Sequence, residues 1–552
     1  MKKKTLQAVV IALGILSSSF TVFAMGETKA ESSELSGIVE DNSKEEEHNK
    51  LETGWFTEGN NWMYRDETGT LLKDGWWEIE GKDYHFDSEG YMSTHWQEID
   101  GKYYWFGTDG AMCTGWQKIW GAWYYLGKDG VMQTGWIEPG DGYWYYSYED
   151  GAIQTDWFKA ENGSWYYADK NGVMQTGWIE PGDGYWYYAN QSGAIEIDWF
   201  KAENGRWYYA DKNGVMQTGW IAPGDGHWYY AYKDGAIQTD WFAPGDGHWY
   251  YADANGVMQT GWFVAKDGNW YYANANGAMQ TGWIAPGDGN WYYANANGAM
   301  QTSWIAPGDG HWYYANSNGV IQKGWILTGA DTWYYAYKNG AVAVNTWEKM
   351  DGHWYWFDES GLMAQGWKYI GRYKYYFDKS GYMLQDLDGI IGRQSSYEIT
   401  VNRAKCQVMV YAKDGNNGYI IPVKTFACSV GLPSTPTPTG TYYTPDKYRW
   451  HTLMGPSYGQ YCTRVVNGIL FHSVAGYNMT SYNIKASDYN KLGSPASHGC
   501  IRLTVRDAKW IYDNCALKTK VTISDSVATP FDKPATIKIP ASQNWDPTDP
   551  NI

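Results

Sequence analysis

Residues 177–193 read Gly177-Trp178-Ile179-Glu180-Pro181-Gly182-Asp183-Gly184-Tyr185-Trp186-Tyr187-Tyr188-Ala189-Asn190-Gln191-Ser192-Gly193. Two short aromatic runs flank a Pro-Gly-Asp-Gly turn, and Asn190 to Gly193 closes the unit with a second turn. Aromatic side chains favour extended backbone, while Gly, Asp and Asn accept tight-turn conformations. The stretch therefore predicts a β-hairpin followed by a linking turn. A lone two-stranded hairpin is marginal in water. Its neighbours supply what it lacks, because a leading Trp recurs at 55, 76, 96, 116, 136, 157, 178, 199, 220, 241, 262, 283, 304, 325, 347 and 367. The steps are 20, 21 or 22 residues, and nine in a row are 21. Sixteen units predict a β-hairpin solenoid over 53–388 whose stacked members bury one another's faces. At the seventeenth position stands Leu387, where the pattern fades. Alternation along a strand predicts Trp186 and Tyr188 on one face and Tyr187 on the other, with Met174, Thr176 and Trp178 sharing a face. From Trp136 to Trp262, Gly-Trp units alternate with Asp-Trp units (Asp156, Asp198, Asp240), a period of 42 residues, so neighbouring units need not be equivalent.

The chain has 552 residues, 36 Trp, 50 Tyr and 65 Gly. No single core uses that many indoles and phenols, so many must lie at surfaces or grooves. At least half of the rings must still serve as core. The formal charge of −18 argues against nucleic acid, whose phosphates need clustered Lys and Arg, and suits extracellular life and cationic ligands. The N-terminus has the plan of a signal peptide over 1–24: Lys2-Lys3-Lys4, an apolar run from Val9 to Leu16, and a small-residue site after Ala24, with Ala30 as the alternative. The competing reading is an uncleaved anchor; no other segment is apolar enough to span a membrane. Residues 25–52 form an acidic linker around Glu45-Glu46-Glu47. The six cysteines (Cys113, Cys406, Cys428, Cys462, Cys500, Cys515) show neither CxxC pairs nor Cys/His metal spacing, so no metal site is expected.

Beyond the repeats the text turns to ordinary β-rich sequence. Glu398–Val401, Gln407–Tyr411 and Tyr419–Val423 read as strands, the last two joined by the turn Asp414–Gly418. Thr504–Tyr512 reads as a helix capped by Thr504. Residues 526–552 form a Pro-rich, irregular tail. Between these elements lies Ser497-His498-Gly499-Cys500-Ile501-Arg502, with Phe471-His472-Ser473 upstream. A thiol, two candidate bases and a flexible turn are what covalent acyl transfer needs. His472 is suited to take the Cys500 proton, and Ser473, by side chain or carbonyl, to hold the imidazole. His498 is a second candidate for the base or an oxyanion donor. Backbone N–H groups around Gly499 and Cys500 are natural oxyanion donors. Arg502 suits a substrate carboxylate or pins the loop. The bland alternative is a buried structural turn.

These residues carry a resemblance. Ser497–Arg502, Phe471–Ser473 and Thr437-Pro438-Thr439-Gly440-Thr441-Tyr442 resemble the signature segments of the L,D-transpeptidase (YkuD) catalytic domain, placed here at 396–525. The family pattern gives the base role to the upstream histidine, here His472. The gap of 28 residues from His472 to Cys500 is longer than the family's, and Val474–Pro495 would lengthen a lid-like loop. The resemblance implies no metal and no organic cofactor. It implies a Cys500 thioester on a peptidoglycan stem peptide, loss of the terminal D-Ala, and a 3→3 cross-link; water as acceptor would give carboxypeptidase activity instead. The repeats resemble the choline-binding, or cell-wall-binding, repeats of Gram-positive surface proteins. That resemblance implies aromatic cages, represented by Trp178, Trp186 and Trp199, for choline-bearing polymer; another wall polysaccharide or a plain spacer are the alternatives. The fold class expected is mainly β, a hairpin solenoid followed by a β-rich catalytic domain with a short helix after the Cys motif. The expected location is secreted, at the wall of a Gram-positive bacterium.

Overall fold

The computed structural model describes residues 52–552. The signal peptide and nearly all of the acidic linker expected from the sequence lie outside the described residues. The described chain divides into two compact units after Gln175, within the repeats rather than at their end. Hairpins touch mainly their neighbours, so a solenoid offers no single natural boundary.

The first unit contains six antiparallel hairpins, from Gly54–Glu58 paired with Asn61–Arg65 to Asp156–Lys159 paired with Trp165–Ala168. The second contains ten more, from Gly177–Ile179 paired with Tyr187–Ala189 to Gly366–Ile370 paired with Tyr373–Phe377. In the quoted unit Trp178 lies opposite Tyr188 and Ile179 opposite Tyr187. The residue before the leading Trp is left-handed in both repeat types: Gly177 has φ 76° and Asp198 has φ 64°. Gly adopts that region freely and Asp tolerates it, so the Gly/Asp alternation leaves the backbone path unchanged.

Successive hairpins are tied by one recurring bond. The Met216 N–H donates to the Trp186 carbonyl of the preceding unit at 2.8 Å, and the Met258 N–H to Trp228 at 2.9 Å. The turn glycine of the next unit fits against the same side chain. Gly235 has φ +76°, and a Cβ there would lie 2.1 Å from Met216 Sδ, so a larger residue would force the units apart. Tyr188 stacks on Phe200 of the next hairpin with centroids 5.0 Å apart and planes at 16°. Each such pair adds about 0.5–1.5 kcal/mol beyond burial. Trp186 and Tyr188 both meet Trp178, on the shared face that strand alternation gives them. Tyr187 and Tyr188 are both buried, because a stacked hairpin finds neighbours on both faces. Trp186 is exposed and precedes the strand, which begins at Tyr187.

The C-terminal domain holds two sheets. The five-stranded one runs Ile421–Ala427, Gln407–Ala412, Tyr397–Asn402, Lys520–Ser524, Gly440–Tyr443. The four-stranded one runs Lys447–Leu453, Ser457–Val466, Ile469–Ser473, Ile501–Leu503. Their shared core includes Ile399, Val401, Phe471, Ile501, Leu503 and Ile511. The strand expected at Tyr419–Val423 begins at Ile421 and continues to Ala427. The helix spans Val505–Asn514, and Thr504 Oγ1 accepts from the Asp507 N–H as its cap. Leu387, at the faded repeat position, is fully buried in this domain's core.

Residues 526–552 carry no helix or strand, yet they are not loose. Phe531 is buried between the last hairpin and the domain, with Tyr375, Met409 and Tyr411. Asp532 Oδ2 accepts from Lys349 Nζ and Trp354 Nε1, both at 2.8 Å. Tyr373 stacks on Tyr411 at 5.8 Å, and Lys374 pairs with Asp414 at 2.8 Å. Further on, Asp546 accepts from the Val505 N–H at 2.7 Å, satisfying a free donor at the helix start.

Candidate active site and aromatic cages

His472 and Arg502 sit opposite one another on the parallel strand pair Ile469–Ser473 and Ile501–Leu503. Cys500 immediately precedes the second strand. With His498 they line a cleft of about 300 Å³, closed on its other sides by His451, Leu453, Met454, Arg464, Gly468 and Leu470. The turn that presents the thiol is held from several directions. Gly499 has φ +117°, and a Cβ there would lie 2.7 Å from Ile469 Cδ1; only glycine serves. Ser497 Oγ accepts from the Gly499 N–H at 3.2 Å and donates to the Cys500 carbonyl at 2.5 Å. The Gly499 N–H is thereby engaged within the turn rather than aimed at an oxyanion. Thr437, fully buried, donates to the Gly499 carbonyl at 2.7 Å and accepts from the Gly431 N–H at 2.9 Å. Thr437 thus buttresses the turn that carries Cys500.

His472 is 2% exposed. Its Nδ1 lies 2.5 Å from the Ser473 carbonyl, which can only accept, so Nδ1 carries the proton and Nε2 keeps its lone pair. Burial holds the imidazole down at about 4, with the Ser473 carbonyl opposing and Arg502 assisting; it is neutral at physiological pH. The carbonyl, not the hydroxyl, of Ser473 orients the ring; Ser473 Oγ bonds Val474 O and Gln460 N. Burial raises the Cys500 thiol, while the Leu470 N–H, Arg502 and Arg464 pull it back. At rest Cys500 Sγ lies 3.4 Å from the Gly468 carbonyl, so the thiol is protonated and needs a base. His498 is exposed and makes no side-chain hydrogen bond among the described residues. The Arg502 backbone pairs with Ser429 in both directions at 2.8 and 2.9 Å, pinning the loop, while its Nε is buried without a partner. All six cysteines are free thiols. Among the described residues no cluster suited to a metal occurs.

The Val474–Pro495 insertion is not a free lid. Val474, Ile484, Ala486, Tyr489 and Leu492 form a small core with Ile539 of the tail, and Asn490 pairs with the Ile539 backbone in both directions at 2.9 Å. Its tip exposes the large apolar side chains Tyr477, Met479 and Tyr482.

In the repeats the structure brings Trp178 and Trp186 together with centroids 6.5 Å apart, but not Trp199. The next hairpin's ring against Trp178 is Tyr208, at 4.7 Å. Phe200 faces Trp178 at 6.0 Å. Trp199, adjacent to it in the strand, must therefore point away, and it packs on Tyr209 and Tyr229. The same arrangement recurs as open pockets: Trp262, Trp270, Tyr292 and Met300 around about 370 Å³, and Trp325, Trp333, Tyr355 and Met363 around about 410 Å³. The cage is thus two Trp of one unit plus a Tyr and a Met of the next. The Tyr was hidden by its even spread through the repeat; the Gly-x-Met ending of each unit was the available signal for the Met.

The profile of the YkuD L,D-transpeptidase catalytic domain matches residues 396–523. That of the choline-binding repeat matches 113–158, 239–279, 267–304 and 302–347. The "Putative cell wall binding repeat" matches 53–71, 94–112, 155–174, 176–195, 197–216, 218–237, 345–363 and 365–383. A Bacillus subtilis (strain 168) protein named "Putative L,D-transpeptidase YciB" is 41% identical over 122 residues, 21% of this chain. The chain spans 59% of that relative's length. Among solved structures, choline binding protein F of Streptococcus pneumoniae is 34% identical with a TM-score of 0.27, covering 49% of this chain and 98% of its own. CbpJ of Streptococcus pneumoniae TIGR4 is 31% identical with a TM-score of 0.25, covering 52% and 100%.

Proposed function

With residues 396–523 a YkuD L,D-transpeptidase catalytic domain and the hairpins before them choline-binding and cell-wall-binding repeats, we propose that the protein is a secreted, wall-anchored L,D-transpeptidase of a Gram-positive surface. The observation that carries the reading is the Cys500 cleft beside a neutral His472 whose Nδ1–H is fixed on the Ser473 carbonyl. In this reading Nε2 takes the Cys500 proton as the sulfur attacks the carbonyl of the stem's third residue. The tetrahedral intermediate expels D-Ala, which receives that proton, and leaves a thioester on Cys500. An amine of a neighbouring stem then attacks the thioester, loses its proton to His472, and releases the thiol with a 3→3 cross-link. Arg502, which lines the cleft, is the proposed partner of a stem carboxylate. His472 rather than His498 is the base, because only His472 is held in one tautomer. The cages hold the choline of wall polymer, and many weak sites on one array act by avidity.

Incubating the full chain with disaccharide-tetrapeptide tests this reading. Cross-linked dimers found by mass, absent with Cys500→Ala, are the expected result. Trimmed tripeptide without dimers would make the protein an L,D-carboxypeptidase, and unchanged substrate would make it a binding protein without activity. Elution from cell walls by free choline tests the repeats; retention in choline with release by a glucan would reassign them.

A further inference from the structure

We propose that the aspartates of the repeat turns, acting through the cage tyrosines, set how tightly each cage holds a cation, so that the array carries two grades of site. This rests on the choline reading above. In five successive cages the leading Trp (199, 220, 241, 262 and 283) meets Tyr229, Tyr250, Tyr271, Tyr292 or Tyr313 at 4.5–4.8 Å. Each of these phenols donates to a carboxylate four residues earlier: Asp225, Asp246, Asp267, Asp288 or Asp309, at 2.6–2.8 Å. The other oxygen of each Asp accepts a backbone N–H two residues on, at 2.8–3.0 Å.

Two cages have the same geometry with the polarity reversed. Tyr208, 4.7 Å from Trp178, accepts from Asn204 Nδ2 at 2.8 Å. Tyr166, 4.7 Å from Trp136, accepts from Asn162 Nδ2 at 2.8 Å. The Asn Oδ1 atoms are held by the Arg206 and Ser164 N–H groups, so the amide nitrogen must face the phenol. A phenol that donates to a carboxylate gains electron density in its ring and has a full negative charge behind it; one that accepts from an amide loses density. The face of the ring is what attracts a quaternary ammonium, so the first kind is the tighter wall. Tyr292 is raised, first by its bond to Asp288, and Asp288 is lowered, first by Tyr292. The proton thus stays on the phenol and the charge on the carboxylate.

The Asn162 and Asn204 turns share their backbone with the Asp267 turn, where the Ala160, Ala202 and Ala265 N–H groups donate alike to the Ser164, Arg206 and Asn269 carbonyls; the other four Asp lie in Pro-Gly-Asp-Gly turns, so the circular dichroism of the multiple variant is compared with wild type before titration. The full chain with Asp225, Asp246, Asp267, Asp288 and Asp309 all changed to Asn, and a reciprocal chain with Asn162→Asp and Asn204→Asp, are titrated calorimetrically. The ligands are choline chloride and its uncharged isostere 3,3-dimethyl-1-butanol. The expected result is choline binding weakened about fivefold at the five altered sites and tightened at the two reciprocal ones, with the isostere unchanged. A purely structural role of the turns would move both ligands together, and that result, or no shift in either, overturns the proposal while leaving the choline reading intact. A wild-type chain that binds no choline overturns both.

Discussion

Trp178 is 36% exposed, and its ring partners all come from its own hairpin or the next one. His472 is 2% exposed, and the groups that line its cleft come from the strands Lys447–Leu453 and Ser457–Val466 and from the turn at Cys500, which Thr437 holds. The repeats thus spread similar, locally made aromatic surfaces along many units. The C-terminal domain assembles its cleft from distant segments. A single lesion should therefore be mild in the first region and severe in the second.

The strongest contrast is expected from Cys500→Ala, which removes the proposed nucleophile: product formation falls to background by mass spectrometry while binding to immobilised choline is unchanged. Loss of both together would break the separation of the two regions. Next comes pH. The His472 imidazole sits at about 4 when folded against about 6.5 in a free chain, so between those values the unfolded state binds the extra proton. Stability is therefore full above pH 6.5, declines as the pH falls, and levels off below 4, a loss of about 3 kcal/mol at most. Urea unfolding of the C-terminal domain should show that slope, and His472→Gln should flatten it. Thr437→Val leaves the Gly499 carbonyl and the Gly431 N–H without their partner, which costs about 2 kcal/mol and displaces the Cys500 turn. Its kcat should fall by more than tenfold with little change in KM; an unchanged kcat would mean that the turn holds itself. The smallest effect is expected from Trp178→Ala. One cage is lost among many, so the choline concentration that elutes the protein should drop by less than twofold. A larger drop would show that the sites are not independent.

The same contrast explains what the sequence disclosed. Hairpins were legible because turn, strand and neighbour lie within one or two units, and the Ser497–Arg502 motif because its chemistry is contiguous. Trp199 was misplaced because the next unit's strand alternation, which turns Phe200 and not Trp199 toward Trp178, depends on how hairpins stack. The tail looked idle because Phe531, Ile539 and Asp546 are single anchors without periodicity, each meeting residues far away in the chain. Thr437 stood in a recognised segment, but its contact with Gly499 spans 62 residues.

The fit of Gly235 against Met216 and the bond from Met216 to Trp186 recur between successive hairpins in near-identical form. An added or missing hairpin creates little unfamiliar surface, because each seam repeats the same glycine fit and the same backbone bond, with Met216 at one seam and Ile237 at the next. The array can therefore lengthen or shorten by whole hairpins with each remaining seam keeping its contacts, while the C-terminal domain keeps a core of its own.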